Sequence, residues 1–533
     1  MKKYASFCQW LIFIFLLYLG IMLYFKNPEI KSLPSYSLQT LARITITYII
    51  SLTVGLFFGI LAALNKTAAK ILVPIFDIGQ SVPILGYFPA AVLFLIALFH
   101  GQRIGLELAA IFLLFTSMEW AIFFGVIGAV KSIPANVAEA AKIFGLKGFD
   151  YIRHVIIPAI TPALIAASTL ACGDGWFFMI ASEYIAYGGK TYTLPGLGAY
   201  LAKAAYEYND LNLAAALLIL ITTIVIFINH FTWHRLAEKA STQGYRPIFK
   251  FPLFHFPKFY LRHHVFPSIR LRKYSKIQKA IKVIFILFLF FLPIILLYHK
   301  IPSRQVFAQS LFISELWHLP AYIGFTMTRL LVAYFISLLI AIIIGILAAE
   351  NQKFGKIFFP LYDIGQSVPI LALFPIIFVY FNRIFGGSFG LELTAIIMLV
   401  ADMIWYLFLN IVSAIRTIPT ETKEVAKLFG LKGWERIKHI VLPSIIPAIV
   451  TGSMLSWATG WNTIIFAEYM PYGKQVFSLQ GLGSFLDRAA YTQGNTILIL
   501  FLLFIISSIV ILMEKFIWKK LLAKSEKYET IEL

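Results

Sequence analysis

Cysteine is nearly absent from this 533-residue chain: only Cys8 and Cys172 occur, each in an apolar run. That excludes a disulfide scaffold and a cysteine-rich metal site. Charge is scarce as well. Charged residues make up 13% of the chain, while apolar residues reach 60% and aromatics 16%. A soluble domain is roughly 25% charged and about 45–50% apolar. No soluble fold covers so much apolar surface with so few charges, so lipid is the solvent for most of the chain. Acids are scarcer than bases, 25 against 45, which leaves a net charge of +20. Such a surplus fits nucleic acid or an anionic membrane face, and the placement of the charges decides between them. Catalytic signatures are missing too. There is no His-Glu-x-x-His pair for a metal and no nucleophile elbow. Gly188-Gly189-Lys190-Thr191 resembles the end of a phosphate loop, but the glycine required five positions before Gly189 is Tyr184. The chain is therefore expected to be no enzyme, to hold no cofactor and not to hydrolyse ATP itself.

What the chain does have is long apolar runs. Crossing a bilayer takes about 20 apolar residues in a helix. Runs of that kind lie near 8–25, 42–64, 71–99, 106–130, 155–182 and 211–232, and again near 281–298, 327–349, 357–381, 391–415, 439–466 and 496–513. They predict an all-α polytopic membrane protein with about 12 transmembrane helices. The first run is too long for a signal-peptide core and reads as a retained span. With both termini in the cytoplasm, the inner segments carry 33 of the 45 Lys and Arg, which leaves 12 for the rest of the chain. That is the asymmetry of the positive-inside rule. Twelve of the 33 fall in 233–282, beside a single acid, Glu238. Phe-Pro pairs interrupt this stretch, which reads as a basic cytoplasmic linker able to rest on anionic lipid. No fold that binds nucleic acid accompanies it.

The two halves are copies. Asp77-Ile-Gly-Gln80-Ser-Val-Pro-Ile-Leu85 returns as Asp363-Ile-Gly-Gln366-Ser-Val-Pro-Ile-Leu371, 286 residues later. Gly105-Leu-Glu-Leu108 returns 285 residues later as Gly390-Leu-Glu-Leu393, and Gly196-Leu-Gly198 as Gly481-Leu-Gly483. Six spans per half carry both copies into the membrane the same way, which makes a parallel repeat about an axis along the membrane normal. The expected organisation is a first unit at 1–232 (core about 40–232), the linker at 233–280, a second unit at 281–515 (core about 325–515) and a cytoplasmic tail at 516–533.

Between the fourth and fifth spans of each half lies a short helix with marked ends. Pro134 and Pro419 suit its first turn, and Gly145 and Gly430 suit a left-handed stop. Ala141 and Phe144, like Ala426 and Phe429, fall three apart on one expected apolar stripe. So short a helix needs something to pack against. It is either an ordinary amphipathic loop helix or a docking surface for a cytoplasmic partner. The pattern Glu139-Ala140-Ala141, Gly145, Val155, Ile157-Pro158, with its copy Glu424-Val425-Ala426, Gly430, Ile440, Leu442-Pro443, resembles the coupling motif of permease subunits of binding-protein-dependent ABC importers. Val425 departs from the usual Ala but keeps the apolar character. Gly175-Trp176, Glu183 and Gly196-Leu-Gly198, repeated as Gly460-Trp461, Glu468 and Gly481-Leu-Gly483, resemble the nitrate/sulfonate/taurine/bicarbonate-type branch. The resemblance implies the type I permease fold, with two units fused in one chain. It implies two cytoplasmic ABC ATPase subunits, an external or periplasmic solute-binding protein, and a place in the inner membrane of a prokaryote. It also implies that Glu139, Ala140, Ala141, Phe144, Gly145 and Pro158, with Glu424, Val425, Ala426, Phe429, Gly430 and Pro443, couple the membrane part to the ATPases. A 12-helix secondary transporter is the rival reading, and a membrane-embedded enzyme a third.

Polar and ionisable residues inside spans either line a water-filled path or tie helices together. The candidates are Asp77, Gln80, Glu119, Asp174, Glu183, Asp363, Gln366, Asp402 and Glu468. Asp77 and Asp363 precede Gly-Gln and then Pro83 or Pro369. That run is expected to break a helix, which a membrane tolerates only within protein or beside water.

Overall fold

A computed structural model of the protein describes residues 31–100, 102–187, 190–242, 316–472, 475–493 and 496–525. The expected spans near 8–25 and 281–298, the linker beyond 242 and the tail beyond 525 lie outside the described residues.

The first half runs α1 (Leu33–Leu64), α2 (Lys66–Ser81), α3 (Ile84–Leu98), α4 (Arg103–Lys131), α5 (Ala135–Ile143) and α6 (Ile157–Glu183). A hairpin of β1 (Tyr184–Tyr187) and β2 (Lys190–Thr193) follows, then α7 (Leu197–Ala202) and α8 (Leu211–Ile228). The second half repeats the order: α9 (Leu319–Glu350), α10 (Gln352–Ser367), α11 (Ile370–Phe385), α12 (Gly387–Thr417), α13 (Thr420–Leu428), α14 (Leu442–Glu468), β3 (Tyr469–Tyr472), β4 (Gln475–Ser478), α15 (Leu482–Asp487) and α16 (Thr496–Met513). Among the described residues, 8 helical segments are long and apolar enough to cross a membrane.

Local chemistry sets the boundaries. The Asn65 side chain accepts hydrogen bonds from the Thr67 and Ala68 N–H groups at 2.8 and 3.2 Å, capping α2. Asn351 does the same for Lys353 and Phe354 at 2.9 and 3.2 Å. Such a cap satisfies donors that a helix start leaves orphaned. The expected spans 71–99 and 357–381 are each two helices. Pro83 and Pro369 push Val82 and Val368 into extended backbone, which ends α2 and α10.

α4 packs between α1 and α6, and α12 between α9 and α14. Small residues bring these helices close: Gly55 rests on Ile122, Gly59 on Val126, and Gly125 on Ala167. The halves meet through α3, which packs on α14 and α16. Exposed Phe57 on α1 and Phe335 on α9 mark faces that lipid would cover.

The hairpins add to the expected all-α plan. Each follows directly on the glutamate that ends α6 or α14, in antiparallel register from Tyr184↔Thr193 to Tyr187↔Lys190 and from Tyr469↔Ser478 to Tyr472↔Gln475. Lys190 and Thr191 thus lie on a strand, unlike the lysine and threonine of a phosphate loop.

Candidate functional site: paired surface helices and the interface between halves

α5 and α13 each end in a left-handed glycine, Gly145 at φ +74° and Gly430 at φ +68°. The stop is closed by backbone bonds from Leu146 N–H to the Ala141 carbonyl at 3.0 Å and from Leu431 N–H to the Ala426 carbonyl at 2.9 Å. These satisfy carbonyls that the last turn would otherwise leave unpaired. Ala141 and Ala426 face inward and are buried. Phe144 and Phe429 do not share that face. They are 81% and 79% exposed, and Ile143 and Leu428 beside them stand out as far. The single stripe expected from the spacing is therefore two surfaces: a small alanine against the rest of the chain and a bulky apolar tip pointing away. The reason is the left-handed stop, which follows Phe144 directly and leaves its side chain at the end of the last turn. Glu139 and Glu424 are exposed, as are Ala140 and the partly covered Val425. Pro158 and Pro443 sit in the first turn of α6 and α14, where a missing N–H is harmless.

Glu183 and Glu468 are enclosed, not open to a path. Glu183 accepts from Thr40 Oγ1 at 2.7 Å, Arg43 Nη1 at 2.9 Å and Gly198 N–H at 2.7 Å. Arg43 also grips Glu107 through Nε at 2.7 Å and Nη2 at 3.0 Å, and donates to the Pro195 carbonyl at 2.9 Å. The second half repeats this with Thr326, Arg329, Gly483, Glu392 and the Gln480 carbonyl around Glu468, at 2.6 to 2.8 Å. A Cβ on Gly196 or Gly481 would collide with the Glu183 or Glu468 carboxylate. The glycines thus let the loop backbone close over a buried acid. The signal for this network lay in the sequence as Thr40-Leu-Ala-Arg43 and Thr326-Met-Thr-Arg329, repeated at the same offset as Asp77 and Asp363. Arg43 and Arg329 were not among the expected functional residues.

The remaining polar candidates are distributed unevenly. Asp77 and Gln80 are half-buried on the last turns of α2, and Gln366 is exposed on the matching turn of α10, where Asp363 also lies. Asp402 on α12 is buried and accepts from Thr463 Oγ1 of α14 at 2.7 Å. Asp174, half-buried on α6 of the other half, lies close enough to Asp402 to interact electrostatically, and Tyr406 lies near both. The interface also carries a direct bond. The first N–H of α3, at Ile84, donates to Asn462 Oδ1 of α14 at 2.7 Å. Glu119 is buried within the first half, away from this interface, against Gly55 of α1.

Residues 55–240 and 341–525 each match the family described as binding-protein-dependent transport system inner membrane component. The chain belongs to that family. It carries two permease units of the type I fold, one in each half. Its relatives include the nitrate import permease protein NrtB of Leptolyngbya laminosa, 28% identical over 149 residues, which is 28% of this chain and 50% of that protein. The bicarbonate transport system permease protein CmpB of Synechococcus elongatus is 26% identical over 201 residues, 38% of this chain and 67% of that protein. The taurine transport system permease protein TauC of Escherichia coli is 25% identical over 208 residues. The match thus spans half the length of the nitrate relative and about two thirds of the bicarbonate one.

Proposed function

We propose that the chain is the transmembrane permease of an ATP-driven ABC importer, its two fused halves enclosing one translocation path. The observation that carries this reading is the pair of surface helices. At the same place in each half, a glycine-stopped helix buries its alanine and holds out an apolar pair, Ile143-Phe144 or Leu428-Phe429. Two exposed apolar tips on segments rich in lysine call for a partner that covers them. In this reading each tip seats in one of two cytoplasmic ATPase subunits, and both chain termini lie in the cytoplasm. An external solute-binding protein delivers the solute to the opposite face, where the two hairpins stand. Closure of the ATPases on ATP moves α5 and α13, and with them the halves, between inward- and outward-open states. The path runs between the halves, past Asp174 and Asp402, with Asp77, Gln80, Asp363 and Gln366 at the helix breaks. A secondary transporter would have no use for the paired tips.

The test is co-purification from native membranes. The wild-type chain is expected to bring down a phosphate-loop ATPase. The double substitution Phe144→Asp with Phe429→Asp is expected to lose it while remaining monodisperse. Full recovery of the ATPase with that variant, or no ATPase with the wild type, overturns the proposal.

A further inference from the structure

The ends of α8 and α16 carry a repeated feature that the importer reading does not use. Both helices run back from the hairpins toward the face of α5 and α13. Each continues through a wide π-helical turn, Asn229–His234 or Glu514–Trp518, into a last helical stretch, Arg235–Thr242 or Lys519–Ser525. One side of this continuation is turned inward. Trp233 is buried edge-on against Tyr48 of α1, ring centres 5.5 Å apart, and Trp518 against Tyr334 of α9 at 6.2 Å. The other side is bare. Phe231 and Phe516 are 41% and 50% exposed, and Leu236 and Leu521 are exposed beside them. The bare strip runs on into the spans. Phe227 lies against Phe231 with ring centres 4.3 Å apart, and Leu512 stands exposed one turn before Phe516.

Bases gather on these two rings. Arg235 Cζ lies 4.8 Å from the centre of the Phe231 ring. Lys515 Nζ and Lys520 Nζ lie 5.0 and 5.4 Å from that of Phe516. Among the described residues none of these three bases has an acid partner, whereas Lys519 is paired with Glu514 at 2.7 Å. Phe231, Arg235 and Leu236 correspond to Phe516, Lys520 and Leu521, 285 residues on. In both halves the chain leaves the outer side of this group uncovered. Water suits the bases but not the rings and leucines, which continue onto the face that lipid covers. A phospholipid suits both. Its acyl chains cover the apolar strip while its phosphate meets the bases, whose long stems reach from one zone to the other. A protein partner would have to displace lipid along the span to cover the same strip.

We propose that each half holds one anionic phospholipid at this place, its phosphate against Arg235 in the first half and against Lys515 and Lys520 in the second. Its acyl chains lie along Phe227 and Phe231, or along Leu512 and Phe516. Negative charge selects the lipid, because a zwitterionic headgroup brings a cation of its own to a place that already holds bases. The site needs only the membrane, whatever the halves transport.

The experiment is native mass spectrometry of the purified, delipidated full chain, given equal amounts of phosphatidylglycerol and phosphatidylcholine in neutral micelles. The wild type is expected to keep two phosphatidylglycerol molecules and to release phosphatidylcholine at the same activation energy. Lys515→Gln with Lys520→Gln is expected to keep one, and the addition of Arg235→Gln to leave none. In titrations each base removed should raise half-saturation about fivefold, the share of one base near an anionic surface. Lys515→Arg with Lys520→Arg preserves the charge and is expected to keep both lipids. Equal retention of the two lipids overturns the proposal, as does undiminished retention in the triple variant. Release of the lipid by inorganic phosphate means a site for a free anion, which also overturns it. So does a loss in the arginine pair as deep as in the glutamine pair, since charge is then not what holds the lipid.

Discussion

Replacing Glu183 by alanine tests the arginine network most directly. Glu183 is fully buried and takes three donors: Thr40 Oγ1, Arg43 Nη1 and the Gly198 N–H. Removing it strands the hydroxyl and the backbone donor, and leaves one edge of a buried guanidinium facing an empty site. Breaking a buried ion pair from one side costs about 3–5 kcal/mol. Glu107 shares the same arginine but keeps 28% of its side chain in contact with solvent, and Arg43 would still hold Glu183. Its removal is expected to cost about 1 kcal/mol, as for partly exposed pairs. Glu468→Ala should match Glu183→Ala within about 1 kcal/mol, because both acids use the same set of donors. The assay is unfolding of the purified chain in micelles, followed by tryptophan fluorescence, for the three single variants and for Arg43→Met with Glu183→Met. The paired variant should recover much of the loss, since both fully buried charges go together and Glu107 keeps solvent and Arg103, at 3.4 Å. A Glu183→Ala variant no less stable than Glu107→Ala refutes the account of a buried structural pair.

Gly145→Val and Gly430→Val force a β-branched residue into a left-handed conformation, at about 1–2 kcal/mol each. They are expected to leave global stability nearly unchanged while exposing 143–148 or 428–433 to limited proteolysis and uncoupling ATP hydrolysis from transport. Asn462→Ala removes the acceptor for the Ile84 N–H and should cost about 1–3 kcal/mol. Hydrogen exchange at the start of α3 should rise in that variant and stay unchanged at α11. Gly196→Ala drives a methyl into the Glu183 carboxylate and is expected to abolish monodisperse expression, where Gly173→Ala, with open space around it, is tolerated.

Much of this architecture was legible because the chain says it twice. The repeat located Pro83 and Pro369 at equivalent breaks, and Gly145 and Gly430 at equivalent stops. Apolar runs alone placed eight of the expected spans among the described residues. The faces of the helices were not legible. In water an apolar stripe marks the buried side, but lipid is as apolar as a protein core, so hydrophobic patterning does not say which side of α1 meets α4. The Arg43 network escaped for that reason. Its parts come from α1, α4, α6 and the loop before α7, and only their meeting makes Glu183 a structural acid. The outward Phe144 escaped because spacing assigns residues to a stripe but does not say where the chain leaves the helix.

Fusion into one chain explains what the repeat leaves unequal. The elements that hold each unit together are duplicated, down to the donors around Glu183 and Glu468. The groups at the interface and in the first-half core are not. Asp174 corresponds to Thr459, Asp402 to Ser117, Asn462 to Phe177, and Glu119 to Ile404. Two identical subunits would have to present any such residue twice, so an acid near the axis would face its own copy and repel it. In a fused chain an acid can be carried at a position whose counterpart in the other half is neutral, as Asp402 is, held by Thr463 of its own half while Asp174 approaches from the first. Specialisation of this kind accumulates where the halves differ in role. Substitutions at the unequal positions, more than at the repeated ones, are therefore expected to change transport without unfolding either half.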